Sequence, residues 1–181
     1  SATGGNFVVT GLTASVTAEQ PMISGVKFIR IDLPGKDKIL SLAEVQAFTG
    51  DTNVALNAQA KQSSTAFEGK AARAVDGETD GEYARNSTTH TGKENNPWWE
   101  CELNEPQTVD RVVLWNRTDG NLAQRLNGAR LQLLDVERKP LFEHTLTVAP
   151  KVSESLATNP RREIRFLAAR ADYAQTGFPA S

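Results

Sequence analysis

Four polar residues in predicted loops could together bind the hydroxyl groups of a sugar: His90, Arg117, Asp119 and Arg125. A guanidinium group presents several N–H donors in one plane, and an imidazole ring can donate or accept a hydrogen bond. Two arginines and a histidine at one end of a domain could therefore hold neighbouring ring oxygens. Asp119 would accept hydrogen bonds from the arginine side chains and fix their orientation.

A second group of oxygen-bearing residues lies between Arg73 and Ser87 and suits a hard cation. Its members are Asp76, Gly77, Glu78, Thr79, Asp80 and Ser87. Calcium binds about six to eight oxygens and mixes carboxylates with the carbonyls that tight loops present. The segment lacks the spacing of an EF-hand loop, so its oxygen content alone does not identify a metal.

Strands must position these residues, because short apolar runs recur between turn signals along the chain. Ile29, Ile31 and Leu33 share one face of a predicted strand through strict alternation. A single short helix is predicted around Leu167–Gln175. The pattern predicts an all-β sandwich or barrel with these strands: Phe7–Val16, Val26–Leu33, Ile39–Phe48, Val54–Gln62, Trp98–Leu103, Thr108–Asn116, Ala129–Leu134, Pro140–Leu146 and Arg162–Phe166.

The polar residues fall in a long loop, Gly69–Pro97, and in a second loop marked by Asp119-Gly120-Asn121. A loop as long as Gly69–Pro97 in a compact domain is usually functional or disordered. Apolar residues in the strands that follow are predicted to lie in the core: Trp98, Trp99, Cys101 and Trp115.

Composition excludes several classes of function. The 181 residues suit one domain, and 20 Lys and Arg balance 22 Asp and Glu, so there is no broad basic face for nucleic acid. No apolar stretch is long enough to insert into a membrane. A single cysteine rules out an internal disulfide and a cysteine-based zinc site. Two histidines and the lack of a hydrolase or metalloenzyme motif indicate that the chain is not an enzyme.

The stretch from Asn53 to Asp135 resembles the F-type lectins, which bind fucose and belong to the discoidin-like (coagulation factor type C) group. The resemblance implies a jelly-roll β-sandwich. The matching motifs are Asn53-Val54-Ala55-Leu56-Asn57, Gln62-Ser63-Ser64-Thr65, Ala74-Val75-Asp76-Gly77, His90-Thr91, Asn96-Pro97-Trp98-Trp99-Glu100, Asn116-Arg117-Thr118-Asp119 and Arg125-Leu126-Asn127-Gly128-Ala129.

The resemblance also implies the sugar site. His90 precedes Arg117 by the spacing of the family's signature, and Asp119 follows in register. Arg125 comes one residue later than in the pattern, and Gly120-Asn121-Leu122 stands where many members have adjacent cysteines. The implied ligand is fucose or a related terminal sugar. Tyr83 would contact its apolar face, and Leu122 would replace the cysteine pair as an apolar platform.

A calcium ion is implied in the same way. Asp76 and Ser87 match side-chain ligands of the family, and Arg73 and Glu78 match positions that supply backbone carbonyls. The remaining ligand is a glutamate in a strand that comes late in these lectins. Its motif occurs early here, in Leu40-Ser41-Leu42-Ala43-Glu44-Val45, so that Glu44 is the predicted ligand.

The early position of this motif allows two domain arrangements. In a circularly permuted domain, residues 1–50 supply the closing strands of the sandwich, 51–170 form the lectin-like part, and 171–181 are a linker or tail. Alternatively, residues 1–50 are the tail of a preceding domain. Permutation is favoured, because the domain would otherwise leave sheet edges exposed.

The predicted function is that of a calcium-dependent, non-catalytic carbohydrate-binding module whose partners are glycans. We expect it to be extracellular, periplasmic or on a cell surface, of bacterial origin, and part of a larger multidomain protein. The alternative is a ligand-free, discoidin-like module with a structural or protein-interaction role.

Overall fold

The computed structural model describes residues 22–158, which form two antiparallel β-sheets. The strands are β1 (Ile23–Asp32), β2 (Leu42–Thr49), β3 (Thr52–Asn53), β4 (Gln59–Gln62), β5 (Trp98–Val109), β6 (Arg111–Asn116), β7 (Arg130–Leu134), β8 (Pro140–Thr145) and β9 (Ser153–Ala157). One sheet has the order β4-β5-β1-β7-β8 and the other β3-β2-β6-β9. Short 3-10 helices lie in the loops, at Ala71–Val75, Tyr83–Arg85, Asp119–Asn121 and Ala123–Leu126. The predicted all-β, discoidin-like sandwich is confirmed.

The core lies between the inward faces of the two sheets. The predicted alternation of β1 holds, since Ile29, Ile31 and Leu33 are fully buried. Each apolar side chain of this size stabilises the fold by about 1.5–3 kcal/mol when buried. Trp99 is also fully buried, and its indole N–H donates to the carbonyl of Ala71 at 2.9 Å. This bond ties the start of β5 to the loop that leads into the site.

The prediction that Trp98 and Trp115 lie in the core is wrong. Both are only partly buried on outward faces, because their neighbours in the alternating strands take the inward positions. Trp98 packs under the guanidinium of Arg30, 4.4 Å from the ring centroid. The indole N–H of Trp115 donates to Gln46 at 3.0 Å. Cys101 is buried as predicted.

Several strand limits also differ from the prediction. Val54–Gln62 is not one strand, because the chain turns between β3 and β4 and Asn57 adopts a left-handed φ of 59°. β5 continues to Val109 instead of ending at Leu103. β9 was not predicted. Three predicted elements lie outside the described residues: Phe7–Val16, Arg162–Phe166 and Leu167–Gln175. The predicted tail 171–181 lies outside them as well.

Strands from the front of the chain take central places in both sheets. β1 lies between β5 and β7, with Ile29 opposite Cys101 on one side and Leu133 on the other. β2 pairs with β6. The segment ahead of β2 also follows the chain around His90, since Leu40 N–H donates to Thr91 Oγ1 at 2.9 Å and Thr91 N–H donates to Leu40 O at 3.0 Å. The front of the chain therefore shapes the loop end of the sandwich.

Within residues 22–158, no helix has the length and apolar character needed to cross a membrane.

Candidate functional site

Asn116, at the end of β6, fixes the loop that carries both arginines. Its side-chain amide donates to the carbonyls of Ala123, at 2.9 Å, and Pro150, at 2.8 Å. Its Oδ1 accepts from the N–H of Arg117 at 2.8 Å. The sequence analysis did not assign Asn116 a role in holding the site, although it is a polar residue on the inward face of β6 after Val112 and Leu114. A polar residue on an inward face needs hydrogen-bond partners within the protein, and this was the sequence signal that could have identified Asn116.

Arg117 is held in one orientation by its neighbours. Its Nε and Nη2 donate to the two carboxylate oxygens of Asp119 at 2.6 and 2.7 Å. Its guanidinium carbon lies 4.6 Å from the centroid of the Tyr83 ring, the geometry of a cation–π contact. The hydrogen bonds from Arg117 lower the pKa of Asp119. The orienting role predicted for Asp119 therefore has the geometry it needs at Arg117.

His90 is buried, and its ring contacts the same Tyr83 ring on which Arg117 stacks. Its Nδ1 lies 2.7 Å from the carbonyl of Thr91, so Nδ1 carries a proton and donates to it. Burial lowers the pKa of His90, and the positive charges of Arg117 and Arg125 lower it further. The ring is therefore neutral at neutral pH, and its Nε2 is a hydrogen-bond acceptor beside two cationic donors.

Two aromatic rings surround His90. Tyr83 and Phe67 make edge contacts with the imidazole, with ring centroids 5.8 and 5.2 Å away. Tyr83 was predicted from the sequence, and its hydroxyl donates to the carbonyl of Phe67. Phe67 was not predicted. It is 75% exposed, so the site has an apolar surface that faces solvent.

A tight turn presents Phe67. Phe67 and Glu68 both have left-handed backbone angles, and Ala66 N–H donates to His90 O at 2.9 Å. A Cβ at Gly69 would lie 2.4 Å from the backbone nitrogen of His90, so only glycine allows the two segments to approach this closely. The sequence signal was an aromatic residue beside Glu68-Gly69 in a polar segment outside every predicted strand.

Arg125 reaches the same region despite the extra residue before it. Gly120 and Asn121 both take left-handed φ angles, 60° and 55°, and two successive turns follow, with Leu122 N–H bonded to Asp119 O and Arg125 N–H to Leu122 O. Burial and the charge of Arg117 lower the pKa of Arg125. Within residues 22–158 its guanidinium has no ion-pair partner. Leu122 lies in the same turn and is partly buried.

Glu44 lies beside the loop that holds the other predicted metal ligands. Its side chain is fully buried, and Oε1 accepts from the N–H of Gly77 at 3.1 Å. Its Oε2 is buried without a hydrogen-bond partner among the described residues. Burial, with the nearby charges of Asp76 and Glu78, raises the pKa of Glu44 to about 8. A carboxyl in this position must hold a proton or meet a cation.

The other predicted ligands lie along the 73–87 loop. Asp76 accepts from the N–H of Glu78 at 2.9 Å, and Ser87, which is buried, donates to the carbonyl of Glu82 at 3.1 Å. The Arg73 side chain donates to Thr88 O at 3.1 Å. Because a guanidinium has no acceptor atom, only the Arg73 carbonyl could bind a metal.

No three His, Cys, Asp or Glu side chains in the described part of the chain are placed to hold one metal ion. The predicted set needs only two carboxylates, Glu44 and Asp76, with one hydroxyl and two carbonyls. All of these donors are oxygens, and the buried Glu44 Oε2 lacks a partner. The chemistry of this donor set therefore fits calcium.

The sequence profile of the F5/F8 type C family, described as a NedA-like, galactose-binding domain, matches residues 73–175, more than half of the chain. The chain belongs to the F5/F8 type C family. The match begins at Arg73 and includes every residue from His90 to Arg125.

The known relatives of this F5/F8 type C domain include lectins. The fucolectin of Anguilla anguilla is 33% identical over 86 residues, which are 45% of this chain and 54% of the eel protein. The chain thus spans about half the length of the curated relatives it matches. The bacterial origin predicted from the sequence finds no support here, since an eel protein and a streptococcal one both match.

Two solved structures also match this F5/F8 type C domain. The lectin domain of lectinolysin, solved with Lewis B antigen, superposes with a TM-score of 0.58 at 37% identity, over 60% of this chain and 78% of that one. The Streptococcus pneumoniae fucose binding module SpX-3 gives 0.57 at 30% identity, over the same shares. The resemblance to F-type lectins is confirmed.

Proposed function

We propose that this domain is a non-catalytic carbohydrate-binding module that holds a fucose-like terminal sugar between His90, Arg117 and Arg125. The observation that carries the proposal is the joint arrangement of a neutral histidine, an oriented arginine and an exposed aromatic ring. The names of the relatives support it, since they include fucolectins and a fucose binding module.

Each of the three polar side chains binds a different oxygen of the sugar. His90 Nε2 accepts from one hydroxyl, because Nδ1 is already bonded to Thr91. Asp119 uses Nε and Nη2 of Arg117, which leaves Nη1 and the second hydrogen of Nη2 for a sugar oxygen. The guanidinium of Arg125, without an ion-pair partner within residues 22–158, donates to the next oxygen. Hydrogen bonds to charged groups contribute about 1.5–3 kcal/mol each.

Aromatic side chains would cover the apolar part of the sugar. Fucose carries a methyl group in place of a hydroxymethyl group, and Phe67 and Tyr83 offer apolar surface beside His90. Leu122 remains the predicted apolar platform on the opposite loop. A shallow site of this kind should bind a monosaccharide with a Kd between about 1 mM and 1 μM.

Calcium is part of the proposal. The side chains of Glu44, Asp76 and Ser87 and the carbonyls of Arg73 and Glu78 would hold it. The ion would neutralise the buried Glu44 carboxylate and would connect β2 to the 73–87 loop. That loop carries Tyr83 and leads directly into His90, so calcium would act on sugar binding by ordering these loops.

We place the protein outside the cell, as a module of a larger protein. The alternative, a structural or protein-interaction module, keeps the same fold but would leave His90, Arg117 and Phe67 without a ligand. The two functions make opposite predictions for sugar binding by the folded, calcium-loaded domain.

Calorimetry with methyl α-L-fucoside tests the proposal. Arg117→Ala and Arg125→Ala should each lower the affinity by about tenfold to a hundredfold, the equivalent of one hydrogen bond to a charged group. Arg111→Ala is a matched control, because Arg111 also stacks on an aromatic ring, 4.0 Å from the centroid of Phe48, but lies at the start of β6. It should bind with wild-type affinity.

Two results would count against this site. Wild-type affinity in the Arg117→Ala protein would remove Arg117 from it. A folded, calcium-loaded domain that binds no sugar on a glycan array would favour the structural alternative.

A further inference from the structure

The turn that presents Phe67 needs support from neighbouring segments to keep its shape. Phe67 and Glu68 have φ angles of 51° and 58°, in the left-handed region that residues other than glycine rarely adopt. The Phe67 ring is also largely exposed, so the turn gains little stability by burying it. The bonds that hold the turn therefore decide where the Phe67 ring lies.

Gln62, the last residue of β4, supplies several of these bonds. Its side-chain Nε2 donates to the carbonyl of Gly69 and to Oγ1 of Thr65, both at 2.9 Å. The same nitrogen lies 3.4 Å from the carbonyl of His90. Thr65 and Gly69 flank the three residues that include Phe67, so one amide group joins the two ends of the turn.

The side-chain amide of Gln62 can take only one orientation. Nε2 faces two carbonyl oxygens, and the amide oxygen would be repelled by them if it stood in the same place. The remaining Oε1 is buried and has no hydrogen-bond partner among the described residues. An unpaired buried acceptor destabilises a protein. Departures of this kind from the rules of stability are typical of functional positions.

The three acceptors that Gln62 reaches do not depend on it for a hydrogen bond. The carbonyl of Gly69 also accepts from the N–H of His90 at 2.9 Å, and the carbonyl of His90 accepts from the N–H of Ala66 at 2.9 Å. Thr65 is exposed, so its hydroxyl can bond to water. Removing the amide would leave none of these acceptors unpaired and would also remove the unpaired Oε1. The loss should therefore affect the geometry of the turn rather than the stability of the domain.

We infer that Gln62 is a positioning residue for sugar recognition and determines the selectivity for a ring that carries a methyl group. It acts through the turn, because the bonds to Thr65 and Gly69 hold the Phe67 ring in its edge contact with His90, with a centroid distance of 5.2 Å. The inference rests on the proposed function, since the methyl group of fucose must lie against Phe67. Gln62 itself need not touch the ligand.

Calorimetry with two monosaccharides tests this role. Methyl β-D-arabinopyranoside has the ring and the hydroxyl configuration of methyl α-L-fucoside but lacks its methyl group. The wild type should bind the fucoside at least about fourfold more tightly, which is the contribution of one buried methyl group. Phe67→Ala and Gln62→Met should each lower this affinity ratio to below about twofold. Gln62→Met keeps the length of the side chain, and it should retain the urea midpoint of the wild type and its affinity for the arabinoside.

The double variant Gln62→Met/Phe67→Ala should behave like Phe67→Ala alone, because both changes act on one contact. Gln59→Met is the matched control, since Gln59 is an exposed glutamine of the same strand on its opposite face. It should keep the wild-type ratio. If Gln62→Met does not fold, Gln62→Asn gives the same comparison. Its amide is one methylene too short to reach Gly69, so it should lower the ratio in the same way.

A wild-type ratio in the Gln62 variants, beside a lowered ratio in Phe67→Ala, would overturn the role of Gln62 and leave the proposed function intact. Equal losses of affinity for both sugars would place the effect of Gln62 at His90 and would also overturn it. A ratio near one in the wild type would overturn the inference, because Phe67 would then not recognise the methyl group, while the polar site would stand. Failure of the wild type to bind the fucoside at all would overturn both.

Discussion

Glu44 and Glu100 are both completely buried, on strands of different sheets, and their surroundings are opposite. Arg138 donates to both oxygens of Glu100, at 2.9 and 3.0 Å, and Arg30 and Lys61 lie at 3.2 and 3.3 Å. Glu44 receives one backbone N–H, has one oxygen without a partner among the described residues, and lies near two further carboxylates.

The difference appears in the pKa values. Burial alone would raise both, and it is the largest influence on each. At Glu100 the hydrogen bonds from Arg138, Arg30 and Lys61 outweigh it, so that its pKa is lowered. At Glu44 nothing in the described chain outweighs it, and the pKa rises to about 8. The charge of Glu100 is neutralised by arginine and lysine side chains of the protein. The charge of Glu44 can be neutralised only by a proton or a cation from solution.

The largest effect should follow from removing the charge of Glu100. Glu100→Gln keeps the shape of the side chain but breaks its ion pairs, and breaking a buried pair costs about 3–5 kcal/mol. The cations can reach water, since Arg138 and Lys61 are about half exposed. We therefore expect a loss at the lower end, about 3 kcal/mol in the free energy of unfolding, measured by urea titration in calcium. A loss below about 1 kcal/mol would show that the pairs contribute no more than surface ones.

Removing calcium should have the next largest effect, and it should act through Glu44. At roughly a thirtyfold excess of calcium over its Kd, binding to the folded state adds about 2 kcal/mol, so chelator should lower Tm by about 4–8 °C. Glu44→Gln should abolish this response, while Glu100→Gln should retain it. In chelator, Glu44→Gln should be at least as stable as the wild type, because an amide does not ionise.

Differential scanning calorimetry with and without chelator checks these expectations. Identical melting curves for the wild type in the two buffers would remove calcium from the proposal. A calcium response that survives Glu44→Gln would place the ion elsewhere.

The smallest effect concerns acid. Since the pKa of Glu100 lies below its ordinary value of 4.5, the folded protein binds a proton there less readily than the unfolded chain does. The stability that Glu100 contributes is therefore complete above pH 4.5 and is lost as the pH falls through the lower, folded-state pKa. Urea midpoints from about pH 7 down to pH 3 should fall less steeply for Glu100→Gln than for the wild type. Parallel curves would mean that Glu100 titrates equally in both states.

The sequence was most informative where one local pattern decides the structure. Strict alternation predicted the inward face of β1. The resemblance to F-type lectins put His90 and Arg117 in one predicted site, and in the structure both contact the Tyr83 ring. Phe67 escaped prediction because its exposure depends on two left-handed residues and on the hydrogen bond from Ala66 to His90. β9 escaped because its sequence, Ser153–Ala157, is mostly polar and its pairing with β6 involves residues far apart in the chain.

The side chain of Asn116 has a consequence for expression of the protein. Asn116-Arg117-Thr118 has the sequence of an acceptor for N-linked glycosylation, as does Asn86-Ser87-Thr88. In the fold, the Asn116 amide nitrogen is buried and bonded to two carbonyls, so a glycan could be attached only before folding. Such a glycan would displace the donor that holds the arginine loop, whereas Asn86 is exposed. A host that does not glycosylate asparagine is therefore the appropriate source of protein for the binding experiments.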